Sequence, residues 1–250
     1  MGFWPVVKKV IKDSDIVVLL LDVRMPEFFK NREVERLANR NNKKMMTVFT
    51  KIDLVTTGFL ASVKKTFPDA LFVSGTKNIG ISKLKTALLI EAKRKKIDEP
   101  FVGVVGYPNV GKSSVINALA KRAKAKTGRM AGVTRGIQWI KAGSLKILDS
   151  PGVVPVEDSA IKLGMMGAKN PEKLRDPERV VYALFRMLRE HTLKGLADSY
   201  KIDLDEDEDE DEILEKIARK RGYLKKGGEI EIHRTAMTIL RDWQKGKIRV

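Results

Sequence analysis

The chain has 250 residues, 43% of them hydrophobic, and its 49 Lys and Arg outnumber its 32 Asp and Glu to give a net charge of +17. This length and apolar content predict a globular protein of two folded units. The sequence has no Cys, which excludes disulfides, thiolate metal sites and a cysteine nucleophile, and its only histidines, His191 and His233, leave little material for a histidine metal cage or a Ser-His-Asp triad.

Strands and helices are predicted to alternate over residues 1–155. The apolar run at 15–22 is typical of a strand buried on both faces of a parallel sheet, and it is too short to cross a membrane. Further strands are predicted at residues 44–50, 70–73, 101–105, 137–141 and 145–148, and helices at residues 5–12, 32–41, 60–67, 81–96 and 112–121. This alternation predicts an α/β fold with a mostly parallel six-stranded sheet.

Beyond residue 155 the periodicity is helical. One apolar face belongs to a helix that begins near Asp176, and a second belongs to a helix near residue 240. Their members are Val180, Leu184, Met187 and Leu188 on the first, and Ile232, Ala236, Ile239, Leu240 and Trp243 on the second. We therefore expect two domains, residues 1–155 and an all-α domain at 156–250. The acidic run 205–212 between these helices predicts an exposed loop or a helix start, because like charges repel.

Residues 106–113, GYPNVGKS, match the phosphate-binding pattern G-x-x-x-x-G-K-[ST] between a predicted strand and a predicted helix. Glycines at this spacing let backbone N–H groups curl around phosphates, and the lysine supplies positive charge to the β and γ oxygens. We expect Lys112 to act on the phosphates and the Ser113 hydroxyl to bind Mg²⁺. The residues expected to line the nucleotide here are Tyr107, Pro108, Asn109, Val110, Gly111, Lys112, Ser113 and Ser114.

A D-x-x-G pattern, Asp149 to Gly152, closes the strand predicted at 145–148. In phosphate-loop enzymes an acid at this place holds Mg²⁺ through water, and the glycine N–H senses the γ-phosphate. Between the two motifs, Thr134 lies in a Gly-rich loop and is the candidate for the threonine that closes on Mg²⁺ and γ-phosphate. The alternative for Thr134 is an ordinary surface threonine.

Base-reading residues are predicted upstream of the phosphate loop. Thr50, Lys51 and Asp53 close the strand at 44–50, and a carboxylate at the position of Asp53 accepts hydrogen bonds from guanine N1–H and N2–H₂, groups that adenine does not present together. The Lys51 stem is expected to lie along the purine. Ser74, Gly75 and Thr76, at the end of the next strand, form a small-residue loop expected to support the guanine carbonyl oxygen.

These five elements resemble those of a Ras-like GTPase in rotated order, and the chain is similar to the circularly permuted GTPases of the YlqF/RbgA type. Residues 22–26, DVRMP, resemble that family's D-A-R-x-P, and residues 240–244, LRDWQ, resemble the end of its C-terminal domain. Val23 replaces Ala, Thr50 replaces Asn, and the acidic run has no counterpart.

The resemblance implies a GTPase that acts as a switch in assembly of the large ribosomal subunit. Asn109 resembles the phosphate-loop asparagine that holds K⁺ against the phosphates in potassium-activated relatives, with a loop-bracing hydrogen bond as the alternative. Val153 stands where a glutamine often orients the attacking water, so we expect slow intrinsic hydrolysis.

The charge distribution favours a polyanionic partner. Nine of the 32 acids lie in residues 203–212, so the rest of the chain is more basic than the net charge indicates. Basic clusters at residues 121–126, 129–135, 219–221 and 225–226 lack interleaved aromatic residues, which favours contacts to the backbone of structured ribosomal RNA. The alternative is a solvated charged surface. The acidic run is interpreted as a solvated insertion, with an RNA mimic or a contact for a basic ribosomal protein as the alternatives.

Three functions remain open on the sequence. The leading one is a GTP-hydrolysing switch that uses Mg²⁺, and K⁺ if Asn109 acts as in its relatives, and that docks on ribosomal RNA. The second is a nucleotide-gated RNA-binding module with negligible hydrolysis, which Val153 favours and Asn109 opposes. The third, an ATP-using kinase or transferase, is disfavoured by Asp53. We expect a cytoplasmic monomer with no membrane or DNA partner.

Overall fold

The computed structural model of the protein describes residues 3–26, 32–121, 129–130, 138–149 and 159–250. These residues fall into two compact units, one from segments 1–53 and 60–156 and the other from segments 54–59 and 157–250. The short segment 54–59 therefore groups with the helical unit although it lies within residues 1–155 of the sequence.

A mixed sheet organises the first unit. Its strands are β1 (Ile16–Asp22), β2 (Lys44–Thr50), β3 (Leu71–Phe72), β4 (Phe101–Gly106), β5 (Arg129–Met130), β6 (Gln138–Ala142) and β7 (Leu145–Asp149). In the described residues they lie in the order β3-β2-β1-β4-β7-β6-β5. Neighbouring strands are parallel in the part of the sheet ordered β3-β2-β1-β4-β7, and β6 pairs antiparallel with both β7 and β5. All six predicted strands are present, and the mostly parallel α/β fold is confirmed with β5 added as a short edge strand.

Burial explains why β1 lies between two parallel partners. Every residue of β1 is buried, and the strand is continuously apolar up to Asp22. A strand that is covered on both faces needs apolar side chains on both, which the run at 16–21 supplies.

In the described part of the chain, five helices accompany the sheet: α1 (Phe3–Asp13), α2 (Arg32–Arg40), α3 (Thr57–Thr66), α4 (Ile81–Arg94) and α5 (Lys112–Lys121). Helix α1 packs on α2 and α4 packs on α5, and both pairs contact the sheet. At the contact of α1 with β4, a Cβ on Gly103 would lie 2.2 Å from the Ser14 Oγ, so only glycine allows this approach. The predicted helices agree with these bounds to within about three residues at each end.

The second unit is helical, with α6 (Ala160–Met165), α7 (Pro177–Arg189), α8 (Lys194–Tyr200), α9 (Glu210–Arg221) and α10 (Ile232–Gln244). Helices α7 and α10 are central, and both predicted apolar faces are buried there except for the exposed Ile232. Trp243 is fully buried, and its indole N–H donates to the Met165 carbonyl at 2.9 Å. No helix in the described ranges is long and apolar enough to cross a membrane.

The acidic run leads into a helix, and a helix start is one of the two structures predicted for it. Asp209 is the N-cap of α9, since its side chain accepts from the Glu212 N–H at 2.8 Å and Glu212 accepts from the Asp209 N–H at 2.9 Å. Acidic residues in the first turn and basic residues in the last also complement the helix dipole. The run is not fully solvated, because Glu208 is buried and pairs with Lys216.

The capping arrangement predicts a local loss of stability for Asp209→Ala. Removing an N-cap carboxylate of this kind costs about 1 kcal/mol, because an N–H of the first turn loses its acceptor. Amide hydrogen exchange in α9 should become faster by about fivefold. Asp207→Ala removes the same charge from an exposed position of the run and is the matched control. Equal acceleration in the two variants would contradict a specific cap.

Candidate nucleotide-binding site

The predicted motifs meet at the carboxyl edge of the sheet. In the parallel registers Asp22 lies beside Thr50, Leu20 beside Gly106, and Val104 beside Asp149. Strands β1, β2, β4 and β7 therefore all end at this edge, where open α/β sheets bind ligands. The structure thus brings the base-reading residues, the phosphate loop and the end of β7 together on neighbouring strands.

The phosphate loop runs from the end of β4 to the start of α5. Asn109 and Gly111 have positive φ, 59° and 98°, conformations that asparagine and glycine tolerate best. A Cβ on Gly106 would lie 2.7 Å from the Leu20 carbonyl oxygen, so the loop leaves the sheet in close contact with β1. Tyr107 and Val110 are buried, whereas Asn109 and Ser113 are exposed and Pro108 and Ser114 are half-buried.

Lys112 lies across this loop. Its Nζ donates to the Gly106 carbonyl at 2.8 Å and to the Tyr107 carbonyl at 2.5 Å, and the residue is only 8% exposed. The ammonium is therefore held over the loop by neutral acceptors. Phosphate oxygens are stronger acceptors for an ammonium than carbonyls are, so the loop can exchange these bonds for bonds to a phosphate.

Thr50 connects the base-reading segment with the phosphate loop. Its hydroxyl lies within hydrogen-bonding distance of the Val110 carbonyl, and 3.1 Å from the Leu21 carbonyl. A hydroxyl has one proton, so it donates to one of these carbonyls at a time. Thr50 is buried. Thr50, which stands where the resembled family has Asn, is thus within hydrogen-bonding distance of the loop.

Lys51 and Asp53 follow in a sharp turn. Lys51 has a φ of 60°, and its Nζ pairs with the Asp22 carboxylate at 2.8 Å. Burial lowers the pKa of Lys51, while the Asp22 carboxylate opposes that shift. Asp53 lies half-buried in the short 3-10 turn Ile52–Leu54.

The S-G-T loop packs directly on the first turn of α5. A Cβ on Gly75 would lie 2.6 Å from the Ser114 carbonyl carbon and 2.7 Å from the Val115 nitrogen. The Ser74 and Thr76 hydroxyls are 3.1 Å apart, and the Ser74 Oγ accepts from the Lys77 N–H at 3.1 Å. The loop is thus shaped by its own hydrogen bonds and held against the helix that starts at Lys112.

Some predicted residues are outside the described ranges. Thr134, Gly152 and Val153 lie there, so their roles stay predictions. The backbone of Asp149 is described and is the last residue of β7. Among the described residues, no group of three or more His, Asp or Glu side chains could hold a metal ion by itself.

Sequence reasoning noted Asp22 and Arg24 only as members of the segment 22–26 that resembles D-A-R-x-P and assigned them no role, whereas the structure places them at the site. Arg24 donates to the Asp22 carboxylate through Nε at 3.1 Å and Nη2 at 2.8 Å, and both residues are buried. Burial would raise the pKa of the Asp22 carboxyl, but the Arg24 and Lys51 cations outweigh it and hold that pKa well below its usual range. A charged pair directly after a fully apolar strand is the sequence signal that points to them.

Comparison with known proteins matches the chain to one family and to solved structures. Residues 101–221 match the family described as 50S ribosome-binding GTPase. The GDP-bound structure of TM YlqF has a TM-score of 0.62 and 25% sequence identity, over 97% of this chain and 95% of that one. The GNP-bound structure of YlqF from T. maritima gives 0.59 and 25%, over 97% and 93%. In sequence and fold the chain resembles the circularly permuted GTPases of the YlqF type.

Several curated relatives are longer than this chain. A GTP-binding protein of Methanocaldococcus jannaschii is 38% identical over 245 residues, 97% of this chain and 65% of that protein. The GTPase grn1 of Schizosaccharomyces pombe is 34% identical over 284 residues, 96% of this chain and 59% of that protein. Nucleolar GTP-binding protein 2 of Pneumocystis carinii is 31% identical over 259 residues, with coverages of 98% and 52%. The chain thus spans about half to two thirds of the length of these relatives.

The contact of Gly75 with α5 predicts that Gly75→Ala destabilises the protein. The new methyl would meet main-chain atoms, which cannot rotate away, so the S-G-T loop or the first turn of α5 must shift. Overpacking of this kind costs about 1–3 kcal/mol of the free energy of unfolding. Gly58→Ala is the matched control, because a Cβ there would meet nothing within 4 Å. Denaturant unfolding of both variants measures the difference, and similar values for the two would contradict the close contact.

Proposed function

We propose that the chain binds GTP with Mg²⁺ at this edge of the sheet and hydrolyses it to GDP and phosphate, as a switch in assembly of the large ribosomal subunit. One observation carries the proposal: the phosphate loop, the turn at residues 50–53 (TKID) and the S-G-T loop meet at the ends of adjacent strands. In addition, the Thr50 hydroxyl lies within hydrogen-bonding distance of the phosphate loop. These are the parts that a guanine-nucleotide site requires, in a rotated chain order.

Base selection is assigned to Asp53. A carboxylate accepts hydrogen bonds from both N1–H and N2–H₂ of guanine, and it would face an unprotonated N1 in adenine. Gly75 lies against the first turn of α5, which begins at Lys112. This contact supports the assignment of the S-G-T backbone to the guanine carbonyl oxygen.

The residues present fit Mg²⁺. Ser113 offers an exposed hydroxyl in the first turn of α5, and Asp149 ends the strand next to β4, and both residue types supply the hard oxygen donors that Mg²⁺ prefers. Ser113 would bind the ion directly, with Thr134 in the triphosphate state, and Asp149 through water. Bound Mg²⁺ neutralises charge on the β and γ phosphates.

Asn109 is the proposed ligand of K⁺. It is exposed at the tip of the phosphate loop in a left-handed conformation, so its side chain stands at the solvent side of the loop. A monovalent cation there would stabilise charge that develops on the phosphates, as an arginine finger does in other GTPases.

Ribosomal RNA is the proposed partner of the basic surfaces. In the helical unit Lys220, Lys225 and Lys226 are exposed, whereas Arg219 pairs with Glu215 and Arg221 lies over the Tyr200 ring. The three lysines are therefore the stronger candidates for contacts to RNA phosphates. The match of residues 101–221 to a 50S ribosome-binding family supports the large subunit as the place of action. A cytoplasmic, monomeric state and the absence of DNA partners stay predictions.

Asp53→Asn tests base recognition. The asparagine amide donates where the carboxylate accepts, which opposes guanine and suits the 2-oxo group of xanthine. We expect the dissociation constant for GTP to rise by about a hundredfold and binding of xanthosine triphosphate to improve. Equilibrium titration with both nucleotides measures this, with Asp69→Asn, an exposed carboxylate before β3, as control. Unchanged preference for GTP would remove Asp53 from the base site.

Hydrolysis is tested by steady-state turnover of GTP and ATP in K⁺ and in Na⁺, with and without large ribosomal subunits. We expect GTP-specific turnover that K⁺ and the particles stimulate, because Asn109 and the ribosomal surface complete the site. Asn109→Gly keeps the left-handed backbone and removes the side chain, so it should abolish the difference between K⁺ and Na⁺. Tight GTP binding with negligible turnover in every condition would instead establish a nucleotide-gated RNA-binding module.

A further inference from the structure

Asp22 and Arg24 are two buried charged residues that the nucleotide chemistry described above does not use. Asp22 ends β1, and Arg24 follows in a tight turn in which the Met25 N–H donates to the Asp22 carbonyl at 3.1 Å. Their side chains are only 3% and 2% exposed. Even a paired Asp and Arg lose hydration on burial, and their attraction does not reliably repay that cost, so packing alone does not explain this pair.

The contacts of the Asp22 carboxylate divide between its two oxygens. Oδ1 accepts from the Arg24 backbone N–H and from Arg24 Nε, both at 3.1 Å. Oδ2 accepts from Arg24 Nη2 at 2.8 Å and from Lys51 Nζ at 2.8 Å. Arg24 thus fixes the orientation of the carboxylate, and one of its oxygens is directed at Lys51.

Lys51 depends on such a partner for a defined position. Its left-handed backbone, with a φ of 60°, turns the chain between Thr50 and Asp53, and its long side chain has many rotamers. Asp22 and Thr50 are paired in the register of β1 and β2, so the Asp22 carboxylate is within reach of the Lys51 Nζ. An ion pair at the end of the stem restricts the course of the whole side chain.

The same turn is held on its other side. Thr50 bonds toward the phosphate loop through Val110, and the Ile52 N–H donates to the Val73 carbonyl at 3.4 Å. With Lys51 tied to Asp22, each residue from Thr50 to Ile52 has its own partner on a different neighbouring segment. Asp53, which follows directly, is presented by a turn that these contacts hold in one conformation.

We propose that Asp22 is a positioning residue for guanine recognition, that it acts through the ion pair with Lys51, and that Arg24 holds its carboxylate in the orientation this requires. The proposal rests on the proposed function, because guanine binding beside Asp53 is what gives the Lys51 stem a base to pack against. Asp22 itself touches neither base nor phosphate in this assignment.

A double-mutant cycle on the full chain tests the proposal, with Asp22→Asn, Lys51→Met and their combination. Dissociation constants are measured for GTP and ATP. In Asp22→Asn the GTP constant should rise by about tenfold, because Lys51 loses its charged partner, and the weaker ATP constant should stay unchanged, because ATP is held by its phosphates. Adding Asp22→Asn to Lys51→Met should cause no further rise in the dissociation constant for GTP. Asp15→Asn makes the same substitution before the other end of β1, where Asp15 accepts from the Phe101 N–H, and should leave both constants unchanged.

Two results would overturn the proposal while leaving the proposed function intact. One is an equal loss of GTP and ATP affinity in Asp22→Asn, which indicates a structural role only. The other is an additive cycle, in which Asp22→Asn costs as much with Met at position 51 as with Lys. If Asp22→Asn does not fold, Asp22→Asn with Arg24→Gln removes one of the two facing cations and serves in its place. A wild-type chain without preference for GTP over ATP would overturn the proposed function and, with it, this proposal.

Discussion

Parallel pairing of β1 with β2 on one side and β4 on the other is the constraint on which the site depends. It places the ends of three strands side by side, so Asp22, Thr50 and Gly106 become neighbours although they are far apart in sequence. The apolar run at 16–21 makes this arrangement stable, because a strand buried on both faces has to lie inside the sheet. Which strand ends are neighbours depends on the pairing of the strands and not on their order in the chain. A rotated sequence therefore forms the same edge of the sheet.

Contacts between loops link segments of the site that are distant in the sequence. The Thr50 hydroxyl reaches the phosphate loop, the Gly75 backbone lies on the first turn of α5, and the Lys51 ammonium reaches the end of β1. These contacts join the predicted base-reading segments to the phosphate loop, to the helix that follows it and to the end of β1. The proposed base and phosphate halves of the site therefore form one packed structure and do not depend on a direct covalent connection.

The sequence predicted the sheet and the site to different depths. Strands such as β1 follow from an apolar run, and the phosphate loop follows from glycine and lysine at fixed spacing, because both signals are local. The partner of Lys51 was not predicted, since an ion pair between two strand ends depends on register. For α9 the sequence predicted only a helix start within the acidic run. The like charges argued against a packed helix, and the capping box that favours one depends on the backbone conformation at Asp209.

The grouping of segment 54–59 with the helical unit bears on how the proposed switch is connected. Directly after Asp53, the Thr56 N–H donates to the Val250 carbonyl at 2.6 Å, and the Val250 N–H donates to the Leu54 carbonyl at 3.0 Å. The Phe59 ring also packs edge-on against His191 at 4.6 Å. The chain thus enters the helical unit immediately after the proposed base-reading residue, and enters it again at residue 157, after the D-x-x-G motif. Under the proposed function, the segments that read the base and the γ-phosphate both lead directly into the unit that carries the exposed lysines. A chain rotated in this way has two covalent routes from its nucleotide site to that unit, where a GTPase domain followed by a simple C-terminal extension would have one.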